Sequence, residues 1–366
     1  LREIGKDAVP FLVKAALENE SLLVRIGVKE VFQNQFDESA ADELIKALED
    51  RDNKIRRRAI EFFSEMGFGL QIMSESKALE FVPKLIKILD DKESSLRSSA
   101  ADALGRMGEK AATDEAIKAL TKLVNDKESS VRSTAANAFI GIGEKAANNE
   151  AIKALTKLLK DKESEVRYSS ILAIGSMKEK AATDEEIKEL TQILSDKESS
   201  VRSSSAFSFL RMGEKAATDE VIQALIRLLN DKESFVRSSA AGALGEIVGK
   251  ATTGKAEKVL SKLLNDKRSE VRINVAFAFP DIALSIQDKA QANQLSFSDF
   301  NKYFPKLEKA FEIIENPKRN FSNLENSLSK HQATSLRRSL LVIKEKRKTL
   351  FWNSLLKNPF IIIPTA

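Results

Sequence analysis

Between Thr113 and Ala147 the apolar residues fall into two helical rhythms separated by a short polar run. In the first, Ile117, Leu120, Leu123 and Val124 recur three or four residues apart, which predicts an amphipathic helix from about Asp114 to Val124. Thr113 stands where an N-cap hydroxyl belongs, and the matching stretch at Thr183 adds Glu186 three residues on, the pattern of a capping box. In the second, Val131, Ala135, Ala138, Phe139 and Ile142 lie within an arc of about 100°, the width of a core-facing stripe. Ala136 sits at the edge of that arc, and its counterparts Ala101, Ala206, Ala241 and Ala276 are equally small, so neighbouring helices can approach closely. Asp126 is placed to cap this second helix, and Gly143 to end it in a left-handed conformation.

The pair of helices recurs. The run DKESSVR at Asp126–Arg132 has six versions, beginning at Asp91, Asp126, Asp161, Asp196, Asp231 and Asp266, each 35 residues after the last. A fixed period of this size indicates stacked supersecondary units, each of which hides its apolar face against its neighbours. Two looser units precede these six, marked by Arg25 and Arg56, with an insertion at Phe68–Ala78. Phe279-Pro280 interrupts the eighth second helix, because proline lacks the backbone donor and clashes with the preceding turn. The repeats are therefore expected to occupy residues 1–290. Residues 291–366 read as a basic helical cap over the last repeat. The opening LREIG matches the end of a repeat helix such as LGRMG at Leu104–Gly108, so the chain is expected to be part of a larger protein.

An Asp and an Arg six positions apart mark each regular unit: Asp91 and Arg97, Asp126 and Arg132, Asp161 and Arg167, Asp196 and Arg202, Asp231 and Arg237, Asp266 and Arg272. Tetratricopeptide units would need more Trp and Tyr than the one and two present, and ankyrin units a His in each turn. Pentatricopeptide units share the 35-residue length and bind RNA one base per repeat. The Asp and Arg spacing, with Val or Leu before the Arg and AAxALG-like runs after it, instead resembles the HEAT repeat, in its short bacterial form also called phycobilisome-lyase-like. The resemblance implies an all-α fold, a right-handed α-solenoid of stacked antiparallel helix pairs with the second helices on its concave side. It also implies that the paired Asp and Arg residues form a structural ladder along the stack. A planar guanidinium fork suits that task.

Because the units are near-copies, the places where they differ carry information. On the second helix the changes gather at four positions, expected to form one solvent-facing stripe opposite the core arc. The first holds Ser95, Ser130, Glu165, Ser200, Phe235 and Glu270, and the second Ser98, Ser133, Tyr168, Ser203, Ser238 and Ile273. The third holds Asp102, Asn137, Leu172, Phe207, Gly242 and Phe277, and the fourth Arg106, Gly141, Ser176, Arg211, Glu246 and Asp281. Exposed apolar anchors are what protein interfaces use. The groove residues expected to hold a protein or peptide are Arg106, Glu165, Tyr168, Leu172, Phe207, Arg211, Phe235 and Glu246.

Composition narrows the alternatives. The first 287 residues carry 45 basic and 47 acidic side chains, the remainder 14 and 7, so only the tail is basic. Nucleic-acid binding is the alternative function, either in the groove or through the tail's cluster Arg337, Arg338, Lys344, Lys346, Arg347 and Lys348, near Phe351 and Trp352. The chain has no cysteine and one histidine, His331, which removes thiolate metal sites and serine activation by imidazole within the repeats. GEIVGK at Gly245–Lys250 is one residue short of a phosphate loop, and Ala251 stands where Ser or Thr would bind magnesium. No enzyme, cofactor or metal is expected. No apolar run reaches the roughly 18 residues of a membrane helix. The expectation is a cytoplasmic, monomeric protein-binding scaffold.

Overall fold

A computed structural model describes residues 38–65 and 74–248, most of 8–30, and four isolated positions beyond them (264, 265, 271 and 309). The eighth repeat with Asp266 and Arg272, the Phe279-Pro280 break and the basic tail lie outside the described residues. Among the described residues all regular structure is helical. Contacts divide the chain into two compact bodies, Leu1–Glu189 and Leu190–Ala366.

In the first body, α1 (Val9–Glu18), α2 (Glu38–Ala47) and α3 (Asn53–Glu65) belong to the looser repeats. Three regular pairs follow: α4 (Glu75–Ile88) with α5 (Ser94–Met107), α6 (Asp114–Leu123) with α7 (Ser129–Ile142), and α8 (Asn149–Leu158) with α9 (Ser164–Ser176). The insertion expected over Phe68–Ala78 ends inside α4, which starts at Glu75 under a Ser74 cap. After α10 (Asp184–Ile193), the second body contains α11 (Ser199–Met212), α12 (Asp219–Leu228) and α13 (Ser234–Val248).

The expected core arc is buried throughout: Val131, Ala135, Ala138, Phe139 and Ile142 meet Ile117, Leu120, Leu123 and Val124 of the partner helix. Thr113 caps α6 by accepting the Ala116 N–H at 3.2 Å, and Asn148 and Thr218 do the same for α8 and α12. The second helix starts later than its sequence suggests. Glu128, not Asp126, occupies the cap position of α7, and Asp126 Oδ1 accepts the Glu128 N–H at 2.9 Å in a local turn. The reason is that the other side of this carboxylate is engaged elsewhere, as described below.

Among the described residues α5, α7 and α11 each pass into a short 3₁₀ turn, GEKA at Gly108–Ala111, Gly143–Ala146 and Gly213–Ala216, pinned by a fully buried alanine. The entry glycines have φ of +61°, +69° and +66°, a region that Cβ-bearing residues rarely enter. Lys178 takes the same place at Lys178–Ala181 with φ +54°, so this repeat holds a lysine in left-handed backbone.

Glu186 departs from the capping-box expectation. It is 2% exposed, where the matching residues Ala116, Ala151 and Val221 are small and apolar. The Thr183 hydroxyl donates to its carboxylate, and the Thr156 hydroxyl lies 3.2 Å from its other oxygen, so the group bridges two repeats as well as closing its own helix.

Candidate protein-binding face and the ladder behind it

Within each body, ladder arginines connect one repeat to the next. Arg97 Nε and Nη2 donate to the two carboxylate oxygens of Asp126, at 2.7 and 2.9 Å, across 29 residues of sequence. Its Nη1 donates to the Asp91 and Lys92 carbonyls of its own turn, at 2.9 and 3.0 Å. Arg132 grips Asp161 at 2.8 and 3.0 Å, and in the second body Arg202 grips Asp231 at 2.8 and 2.9 Å. Arg167 and Arg237 make the same carbonyl bonds, to Asp161 and Lys162 and to Asp231 and Lys232. Asp196 accepts the Glu198 N–H at 2.9 Å, as Asp126 does with Glu128.

These pairs are nearly out of water, with side-chain exposures of 9% and 10% for Arg97 and Asp126. Burial alone pushes the Asp126 carboxyl up, but the Arg97 fork, the Glu128 N–H and nearby positive charge together outweigh it and hold the group below its ordinary value of 3.8. Asp161 and Asp231 are held down by the same balance. Donating hydrogen bonds to the carboxylate raises each guanidinium in turn, against the opposing effect of burial. In these pairs the guanidinium donors are committed to acceptors within the protein.

One member of the ladder was missed in the sequence. Arg56 Nη2 donates to Asp91 at 3.2 Å, and its Nη1 to the Asp50 carbonyl at 2.9 Å. Asp50 and Arg56 have the same six-residue spacing as the regular copies, so the signal was present, weakened only by the irregular residues between them.

The variable stripe is narrower than expected. Glu165, Tyr168, Phe207, Arg211, Phe235, Glu246 and Arg106 are exposed and Leu172 is half-buried. Tyr168, Phe207 and Phe235 keep 40%, 41% and 46% of their surface accessible. However, Ser133, Ser176 and Ser238 are buried, which corrects the view that all four positions face solvent. Their hydroxyls explain it: small enough to lie between adjacent second helices, they find partners there. Ser133 pairs with the Ser169 hydroxyl at 3.0 Å, and Ser176 donates to the Phe139 carbonyl at 3.2 Å. Gly141 also has a packing reason to differ, because a Cβ there would come 2.0 Å from the Gly105 carbonyl oxygen.

The charges on this face are not equivalent. Arg106 is bound to Asp102 one turn away at 2.8 Å, and Arg211 is also engaged. Glu165 and Glu246 have no ion-pair or hydrogen-bond partner among the described residues. The basic cluster Arg337–Lys348 lies outside the described residues. Among the described residues no helix is long and apolar enough to cross a membrane, and no group of three or more potential metal ligands occurs.

No curated protein matches the sequence. Among solved structures, the Escherichia coli protein YibA is 21% identical and aligns with a TM-score of 0.50 over 87% of this chain and 96% of its own. Two engineered proteins align at TM-scores of 0.48, one at 21% identity over 92% of this chain and 98% of its own, the other at 22% over 60% and 97%. At such identities the YibA likeness concerns the fold. The family model for HEAT repeats matches residues 82–148, 135–211 and 187–280, together more than half of the sequence, and the chain belongs to the HEAT repeat family.

Proposed function

We propose that this chain is a non-catalytic scaffold that holds a protein or peptide segment on the outward face of its second helices, the concave side in solenoids of this family. The repeats extend to about residue 290 in this reading, and residues 291–366 cap the last of them. The observation that carries it is the exposure of Tyr168, Phe207 and Phe235 at positions where most sister repeats have a polar residue or glycine. Large apolar side chains left in water at such positions cost solubility, and buried aromatic anchors are typical of binding hot spots. Leu172, Arg106, Arg211, Glu165 and Glu246 complete the face. Ladder arginines take no part in recognition, since their donors already have acceptors.

Changing Tyr168, Phe207 and Phe235 together to alanine, then comparing partner recovery in a pull-down, tests this reading. The triple variant is expected to melt as the parent does and to lose its partner. Full recovery by a folded variant would overturn the proposal.

A further inference from the structure

Among the described residues, two carboxylates of the second-helix face, Glu165 and Glu246, stand in water without a partner. On α9, Glu165, Tyr168 and Leu172 follow at intervals of three and four residues, which places them within an arc of about 60°. Glu165 is exposed, and among the described residues neither its carboxylate nor the Tyr168 ring and hydroxyl beside it have a partner. On α13, Phe235 and Glu246 are eleven residues apart, so they share nearly one azimuth about 16 Å apart along the helix. Glu246 is exposed and has no ion-pair or hydrogen-bond partner among the described residues either. On the same face Arg106 is paired with Asp102, Arg211 has a contact of its own, and the ladder arginines donate to carboxylates and carbonyls. Among the described residues each body therefore presents an exposed aromatic ring accompanied by a carboxylate without a partner.

From this juxtaposition we infer that the occupant of the face is a peptide segment in which basic side chains stand beside apolar ones. It rests on the scaffold reading and adds the chemistry of the partner. Its apolar side chains cover the Tyr168 and Leu172 surface on the first body, or the Phe207 and Phe235 surface on the second. A lysine or arginine beside them meets the Glu165 or Glu246 carboxylate, and over the Tyr168 ring it gains a cation–π contact. An acidic segment would meet like charge at both carboxylates. The chain as a whole is positively charged, +5, so this preference for a basic ligand runs against the net charge and has to come from the local face.

The test uses the full chain and four labelled twelve-residue peptides, each a fourfold repeat: Leu-Lys-Ser, Leu-Ser-Ser, Leu-Glu-Ser and Ser-Lys-Ser. Fluorescence anisotropy is expected to give Leu-Lys-Ser a Kd about tenfold below that of Leu-Ser-Ser, with Leu-Glu-Ser weaker still. Tyr168→Ala with Phe235→Ala should abolish the binding, and Glu165→Lys with Glu246→Lys should reverse the charge order. Circular dichroism melting confirms that each variant folds. If the three leucine peptides bind alike and lose binding in the aromatic variant, the basic preference is wrong while the scaffold reading stands. If Ser-Lys-Ser binds as tightly as Leu-Lys-Ser, charge alone is being read and the inference also fails. If no leucine peptide binds, or the aromatic variant binds them unchanged, both the inference and the scaffold reading fall.

Discussion

Arg132 makes four hydrogen bonds, two to the Asp161 carboxylate and two to carbonyls of its own turn, and so fixes two repeats at once. Replacing it with alanine leaves Asp161 nearly buried without its counter-charge. The expected loss is about 3–5 kcal/mol of unfolding free energy, measured by urea denaturation. Asp161 has a folded-state pKa below the ordinary 3.8, so its contribution is whole above that value and shrinks as the pH falls below it. The parent should therefore lose stability below about pH 4 more steeply than Arg132→Ala, because the variant no longer has the interaction that lowers this carboxyl. Parallel acid-side slopes for the two proteins would count against the ladder as a stabilising device. The spacing of Asp and Arg was visible in the sequence, but the capping role given to Asp126 was not right. A side chain suited to several hydrogen bonds does not declare which it makes until the neighbouring repeat is in place, and here the neighbour's arginine takes it.

Among the helices, length, capping and inward face followed closely from spacing and composition, since each repeat restates the same pattern. Thr113, Gly143 and the Phe139 stripe all perform locally the roles their chemistry suggests. What spacing could not tell was which outward-looking positions become contacts between successive second helices. Ser133, Ser176 and Gly141 differ among repeats as a ligand-binding residue might, yet they pack against a neighbour. Small residues satisfy either environment, whereas a tyrosine or phenylalanine has a preference. Gly141 tests the packing account. A Cβ there would overlap the Gly105 backbone, which cannot rotate away as a side chain would, so α5 and α7 would have to separate. Gly141→Ala should cost about 3 kcal/mol in urea denaturation, against a few tenths for Asn137→Ala one turn earlier on the same exposed face. Equal, small losses would show that the two helices do not approach so closely.

At the scale of the molecule, a stack of near-identical repeats gains stability from each unit and each neighbour contact, so individual outward residues are free to specialise. That freedom has been used unevenly. The first helices repeat a balanced surface of lysine and glutamate, while the second helices carry Glu165, Tyr168 and Leu172 in one body and Phe207, Phe235 and Glu246 in the other. The claim that the second-helix face is where a partner sits is most directly tested by photo-crosslinking. Benzoylphenylalanine is placed in turn at the Phe207 position and at the exposed Lys153 position on the first-helix side, and each protein is irradiated in the presence of its partner. An adduct from the Phe207 position and none from the Lys153 position is the predicted result. An adduct from the Lys153 position alone, or equal adducts from both, would contradict it.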